Sequence, residues 1–159
     1  MKRAVAVCGA VAMLLVAASA FAQAKPNFSG KWMADAEKTA AAMAGGGGGG
    51  RGGGRGGGGA LTITMDATML KIERENPNGT TSQTYKLDGS ESKNMQAGRG
   101  GGEPMEVVSH AKLDGAKVVI TTTTANGEQV SSWYMDGDWL VSERTTQNGA
   151  QKTYYKKGM

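Results

Sequence analysis

Apolar and polar residues alternate along the chain from Ala60 to its C-terminal part. In Leu61–Met65 every second residue is large and apolar, and the same alternation recurs up to Tyr155. A period of two places one face of a strand in a core and the other in water, as in an antiparallel sheet. With a first strand near the mature N-terminus, the pattern predicts about ten strands, at 27–33, 60–65, 69–75, 80–87, 91–96, 105–113, 117–124, 129–135, 139–146 and 150–156. The alanine-rich segment 35–44 predicts about two helical turns.

Turn signals follow the same repeat. The aspartates at 66, 88, 114 and 136 are separated by 22, 26 and 22 residues, and the Asn-Gly pairs at 78, 126 and 148 each follow one of them by 12 residues. Asn, Asp and Gly tolerate the left-handed backbone of tight hairpin turns. The sequence therefore predicts a meander of β-hairpins with a repeat of about 22 residues.

The number of strands favours a barrel. A propeller blade needs four strands, and a flat meander of this length would leave two long edges open. We therefore expect an all-β fold, an antiparallel up-and-down meander closed into a barrel of about 8–10 strands. Because alternate turns lie at opposite ends of a meander, the glycine-rich segments 45–59 and 97–104 should be neighbours at the end that carries the Asn-Gly turns.

The N-terminal segment resembles a secretory signal. Lys2 and Arg3 precede an apolar run from Ala4 to Ala18, and Ala20-Phe21-Ala22 is a typical cleavage site, which predicts a signal peptide at 1–22. Residues 23–159 then form a single β-barrel domain without cysteine, with a disordered Gly-rich insertion at 45–59. Export without disulfides suggests a periplasmic or secreted bacterial protein. Removing the two basic residues leaves 16 basic against 14 acidic residues, so nucleic acid is an unexpected partner.

The triplet Gly30-Lys31-Trp32 on the first predicted strand resembles the G-x-W motif of lipocalins, and the chain is similar to lipocalin-like secreted bacterial barrels. Ten strands come closer to their fatty-acid-binding relatives. The resemblance implies that Trp32 plugs the closed end of the barrel, beside Gly30, and that a basic residue from a late strand packs over it. Arg144 is the candidate for that barrel-closing residue because it has the inward parity of Leu140 and Ser142, while Lys156 and Lys157, the alternatives, come later in the chain. It also implies that residues 34–59 form a lid over the open mouth.

The inward-facing positions supply the candidates for a ligand cavity. Their large side chains either fill the core or line a cavity, and small inward residues such as Ser109, Ser131 and Ser142 beside them fit both interpretations. The candidates are Trp32, Ile72, Tyr85, Leu87, Ala111, Leu113, Ile120, Trp133, Met135, Leu140 and Tyr155.

Catalytic and metal chemistry finds little support. His110 is the single histidine and has outward parity, so neither a zinc site nor a histidine-based triad is expected. Met33, Met65 and Met135 occupy core-like positions, which argues against a methionine copper site. The Gly-Arg tracts have three arginines and no aromatic residue, so a linker or lid is favoured over RNA binding.

These observations predict an exported lipocalin-like barrel that binds a small, largely apolar molecule and is not an enzyme. We expect no cofactor, no metal, no nucleic acid and no membrane span, with a monomer as the default oligomeric state. The alternative is a ligand-free structural or protein-interaction module of the cell envelope.

Overall fold

The computed structural model describes residues 25–44, 59–76, 79–96, 102–124, 127–146 and 149–158. The predicted signal peptide, residues 45–58 of the glycine tract and residues 97–101 lie outside these ranges. The predictions of export, of disorder and of a shared mouth for the two glycine-rich segments therefore stay predictions.

Ten antiparallel strands and one helix make up the described residues, which confirms the predicted all-β barrel. The first strand begins three residues later than predicted because the preceding segment crosses the end of the barrel, where the Ser29 hydroxyl accepts a hydrogen bond from the Met65 N–H at 3.0 Å. The elements are β1 (Gly30–Ala34), α1 (Ala36–Ala44), β2 (Ala60–Met65), β3 (Met69–Asn76), β4 (Gly79–Lys86), β5 (Asp88–Gln96), β6 (Met105–Asp114), β7 (Lys117–Thr124), β8 (Gly127–Asp136), β9 (Trp139–Thr146) and β10 (Gly149–Lys157).

The strands form one sheet in the order β4-β3-β2-β1-β10-β9-β8-β7-β6-β5. Strand β1 pairs with both of its neighbours, so that Trp32 lies opposite Leu61 of β2 and opposite Lys157 of β10. The first and last strands therefore meet in the middle of the sheet, and the sheet curls until β4 and β5 approach each other.

The seam between β4 and β5 is closed by side chains. The Asn94 amide accepts a hydrogen bond from the Thr84 N–H at 2.7 Å and donates one to the Thr84 carbonyl at 3.0 Å. The Ser92 hydroxyl accepts from the Lys86 N–H at 2.9 Å. Both side chains are buried, at 7% and 6% exposure. They bond the β4 backbone groups that an adjacent strand would otherwise pair with. The barrel is thus nearly closed, with one seam that lacks a backbone ladder.

Turns of two kinds alternate between the ends of the barrel. Gly89, Gly115 and Gly137 take φ angles of 84°, 60° and 61°, and Gly79 and Gly127 at the other end take 122° and 101°. Residues without a side chain adopt this backbone region without strain, which explains the Asp-Gly and Asn-Gly pairs. We call the two ends the Asp-turn end and the Asn-turn end.

Helix α1 continues along β10 where β1 stops. The Asp35 carboxylate caps it by accepting from the Lys38 N–H at 2.7 Å. The Thr39 hydroxyl accepts from the Tyr154 N–H at 3.0 Å, and the Lys38 ammonium lies 4.6 Å from the centre of the Trp139 ring on the outer face. Within the described ranges, no helix is long and apolar enough to cross a membrane.

The apolar core fills the lumen towards the Asp-turn end. Trp32 donates from its indole N–H to the Phe28 carbonyl at 2.8 Å, and both side chains are buried there. The prediction that Met33 and Met135 are core residues is wrong, since they are 60% and 41% exposed, whereas Met65 is buried. The core consists of Phe28, Trp32, Leu61, Ile63, Met65, Leu70, Ile72, Tyr85, Leu87, Ala111, Val118, Ile120, Trp133, Leu140 and Tyr155.

Candidate functional site

A cavity of about 70 Å³ lies in the lumen at the Asn-turn side of this core. Its walls come from strands β3 to β9. Gln96 is the one lining residue from β5, and each of the others supplies residues that are two apart along the chain. Residues two apart share one face of a strand, so the alternating pattern itself directs these side chains into the lumen.

The cavity has two layers. On β3, β4, β7 and β8 an apolar residue lies nearer the Asp-turn end, and the next inward residue towards the Asn-turns is polar. The apolar layer, which we call the floor, consists of Ile72, Tyr85, Ile120 and Trp133. The polar layer, which we call the collar, consists of Arg74, Gln83, Gln96, Thr122, Gln129 and Arg144. Ser109, Ser131, Ser142 and Val107 complete the lining.

The floor is anchored to the core below it. The rings of Trp133 and Tyr155 stack with their centres 6.0 Å apart and their planes inclined by 22°. Ser109, which is almost fully buried, shares a hydrogen bond of 2.9 Å with the Thr122 hydroxyl on the neighbouring strand. Packing therefore holds Trp133 of the floor in place, and a hydrogen bond holds Thr122 of the collar, as a preorganised binding surface requires.

Positive charge is concentrated at the collar. Its two arginines come from β3 and β9, and no carboxylate of the described residues lines the cavity. The Arg74 guanidinium lies 6.0 Å from the centre of the Trp133 ring, so it reaches across the lumen from β3 to β8. Burial raises the pKa of the Tyr85 hydroxyl, and the charges of Arg74 and Arg144 oppose that shift. Both arginines therefore act on the same part of the lumen.

The sequence-based cavity candidates divide into three groups. Ile72, Tyr85, Ile120 and Trp133 line the cavity. Leu113 is half-buried and packs against the core, and Met135 is exposed. The others are core residues outside the cavity lining, namely Trp32, Leu87, Ala111, Leu140 and Tyr155.

The barrel-closing candidates need one correction. Trp32 closes the Asp-turn end, and Gly30 beside it has a φ angle of 137° that a residue with a side chain rarely adopts. The basic residue over Trp32 is Lys157, whose ammonium lies 5.9 Å from the ring centre. Arg144 instead belongs to the collar at the opposite side of the core, because β9 carries it towards the Asn-turns.

The polar collar was not predicted as a site. Gln83, Gln96, Gln129 and Arg74 have the inward parity of the apolar residues around them, and that parity is a signal available in the sequence. The described residues contain no group of three His, Cys, Asp or Glu side chains arranged to hold a metal ion. His110 is exposed, and its Nδ1 lies 3.0 Å from the Gly89 carbonyl oxygen.

Comparison with solved structures decides the fold. A fatty-acid-binding protein of Schistosoma mansoni in complex with arachidonic acid superposes with a TM-score of 0.61, at 20% sequence identity, over 83% of this chain and 96% of that one. The chain has the fatty-acid-binding-protein fold. The structures described as the REP1-NXSQ fatty acid transporter (TM-score 0.60, 16% identity, 82% and 96% coverage) and the wild-type fluorescent protein UnaG (0.59, 20%, 82% and 97%) share it.

No protein-family model matches the chain, and no curated protein sequence does. The structural likeness is therefore a likeness of fold at low sequence identity. It places the ten strands and the lumen of this chain in a known architecture. What the lumen can bind depends on the residues that line it in this chain.

Proposed function

We propose that this protein is an exported binding protein that holds a small amphipathic molecule in the lumen at its Asn-turn end. The observation that carries the proposal is the two-layered cavity, with an apolar floor and a polar, positively charged collar. Binding sites for small molecules combine apolar walls with a few convergent polar groups in this way. Export rests on the sequence of residues 1–22.

The fold supports this proposal. Two of the structural neighbours are described as fatty-acid-binding or fatty-acid-transport proteins, and one of them contains arachidonic acid. The lumen of this barrel is filled at one end by its own side chains. The ligand therefore occupies the Asn-turn side and contacts the floor with its apolar part, while its polar part lies among the collar residues.

The alternative, a ligand-free module, has one observation in its favour. Ligand pockets commonly enclose about 300–1,000 Å³, whereas this cavity measures about 70 Å³. A barrel that serves as a stable scaffold needs no larger space. The two functions differ in whether the lumen exchanges its contents with solution.

Native mass spectrometry of the protein purified gently from its own host tests the proposal. We expect a fraction with extra mass that is removed by organic solvent. In the same experiment, a mature mass that begins at Gln23 would support export. A bare protein, together with a fragment library that shifts no lumen amide in nitrogen-15 NMR spectra, would establish the ligand-free module instead.

Two leucine variants locate the site. Ser131→Leu places a branched side chain in the cavity, and Ser132→Leu places the same side chain on the outer face one residue away. We expect the lumen variant alone to abolish binding of whatever compound the host or the library supplies. Equal binding by both variants would place the ligand outside the barrel.

A further inference from the structure

We infer that the ligand of this cavity is a compact, hydroxylated organic anion rather than a long acyl chain. The inference rests on the proposed function, since it names the chemical class that the lumen selects. It follows from the size of the space, its charge and the hydrogen-bonding groups that line it.

Size excludes an extended chain. The lumen on the Asp-turn side of the floor is occupied by core side chains, among them Phe28, Leu70 and Leu140, each at most 1% exposed. The Trp133–Tyr155 stack closes the cavity from below. Because close-packed interiors yield little without strain, a ligand enters only as far as the floor. The space above the floor measures about 70 Å³, which favours a single ring or a short carbon skeleton over an extended acyl chain.

Charge selects an anion. Arg74 and Arg144 face the cavity from two strands on different sides of the lumen, and no Asp or Glu of the described residues shares the lining with them. Arginine guanidinium groups bind carboxylates with two parallel hydrogen bonds. Arg74 also lies over the Trp133 ring, so a carboxylate held there has its carbon skeleton next to the aromatic floor.

The remaining collar groups match hydroxyls. Side-chain amides and hydroxyls both donate and accept hydrogen bonds, as ligand hydroxyl groups do. The strand register makes them continuous along β7 to β9, where Thr122 lies opposite Gln129 and Ser131 lies opposite Arg144. An alkyl chain in this position would offer these groups no hydrogen bond, which disfavours it. The polar groups concerned are Gln83, Gln96, Gln129, Thr122, Ser131 and Ser142.

Four probes test the inference with the mature protein by isothermal titration calorimetry and NMR. Gallate, a benzoate with three ring hydroxyls, carries the ring, the charge and the hydroxyls. Benzoate lacks the hydroxyls, pyrogallol lacks the charge, and laurate supplies an acyl chain. We expect gallate to bind at least about tenfold more tightly than benzoate or pyrogallol, since each unmade polar contact weakens binding several-fold. We expect laurate to produce no shift of lumen amides.

Matched variants assign the contacts. Arg144→Gln should weaken gallate binding by about tenfold and leave pyrogallol binding unchanged, because only the charge-assisted bond is removed. Ser131→Ala should weaken gallate more than benzoate, by about threefold. Lys112→Gln and Ser132→Ala, on the outer face, are the controls and should change neither. Circular dichroism spectra and thermal midpoints confirm that each variant is folded.

The outcomes separate the inference from the proposed function. Tighter binding of laurate than of gallate in the lumen would overturn the inference and leave the proposed function standing. Equal affinities for gallate and pyrogallol would overturn the anionic part. No lumen shift with any probe, together with a bare mass from the host, would overturn both.

Discussion

The two halves of the lumen are built from the same alternating strands and serve different purposes. Towards the Asp-turns the inward residues are large and apolar, and Phe28 and Trp32 seal that end from within. Towards the Asn-turns most inward residues are polar, with Val107 as the apolar exception in the lining, and they surround a cavity. Each half uses the same strand geometry, so the difference lies in the types of the inward residues and in the segment before β1, which brings Phe28 to the Asp-turn end.

This contrast teaches that one barrel can divide stability and binding between its ends. Burial of apolar surface stabilises a fold by about 25 cal/mol per Å², and nearly all of the large buried side chains lie on the floor or below it. The collar contributes little burial, so substitutions there should change stability little and ligand binding more. Variants in the two halves should accordingly change different measured quantities.

The largest effect is expected in the packed half. Phe28→Ala removes a fully buried ring from the core cluster that contains Trp32, and large-to-small core substitutions of this kind lower the free energy of unfolding by about 3–5 kcal/mol. Urea unfolding followed by tryptophan fluorescence measures the loss. Gln129→Ala in the collar is the matched control and should change it by less than about 0.5 kcal/mol. Similar losses in both would show that the halves do not differ.

A second variant tests whether a polar residue near the Asn-turn end can contribute to stability. Asn94→Ala leaves the Thr84 N–H and carbonyl of the seam without their partner. Unpaired buried polar groups reduce stability by about 1–3 kcal/mol. We expect faster hydrogen exchange at Thr84 and a lower urea midpoint. Lys93→Ala changes an exposed neighbour and should leave both close to the wild-type values. Unaltered exchange at Thr84 in Asn94→Ala would mean that the seam is closed by other contacts.

Helix α1 offers a smaller test. Thr39→Val keeps the shape of the side chain and removes the acceptor for the Tyr154 N–H. The loss of one such hydrogen bond should reduce stability by about 1 kcal/mol, together with faster exchange of the Tyr154 amide. Thr123→Val, on the exposed outer face of β7, serves as the control. A protected Tyr154 amide in Thr39→Val would show that the helix does not depend on this bond.

The smallest effect is a pH dependence at an exposed turn of the packed end. Hydrogen bonds from the Thr68 N–H and hydroxyl and from the Met69 N–H hold the pKa of Asp66 below its ordinary value of 3.8. The ionised carboxylate therefore stabilises the folded chain above the ordinary pKa, and this contribution is lost as the pH falls through the lower folded value.

Thermal midpoints measured from neutral to acidic pH test this contribution. Asp66→Asn should reduce the fall of the midpoint in the pH range between the ordinary and the lowered pKa. Thr68→Val removes the hydroxyl donor and should reduce this fall of the midpoint in part. If the midpoint of Asp66→Asn falls with pH as it does in the wild type, the pH dependence belongs to other groups.

Local signals made the fold predictable from the sequence. A period of two and the Asn-Gly and Asp-Gly pairs act over a few residues, so the strands and turns could be placed without knowing their partners. The start of β1 was misplaced because Asn27–Ser29 crosses the barrel end, which depends on a contact between Ser29 and the distant Met65.

The site was harder to predict because parity gives the direction of a side chain and not its depth. Gln83 and Tyr85 share a face, yet one belongs to the collar and the other to the floor. Depth follows from the stagger of strands that are far apart in sequence. The same limit led to the choice of Arg144 over Lys157 for the residue beside Trp32, since the pairing of β1 with β10 decides it.

The position of β1 also sets the order in which the chain can fold. Strands β2 to β4 and strands β5 to β10 form two arms of local hairpins, and only the ladders of β1 join these arms within the described sheet. The pairing of Trp32 with Lys157 joins residues 125 positions apart, and contacts of such long range form late. Newly made chains will therefore carry Phe28 and Trp32 exposed until the last hairpin is complete, which makes this interval the period of greatest risk of aggregation.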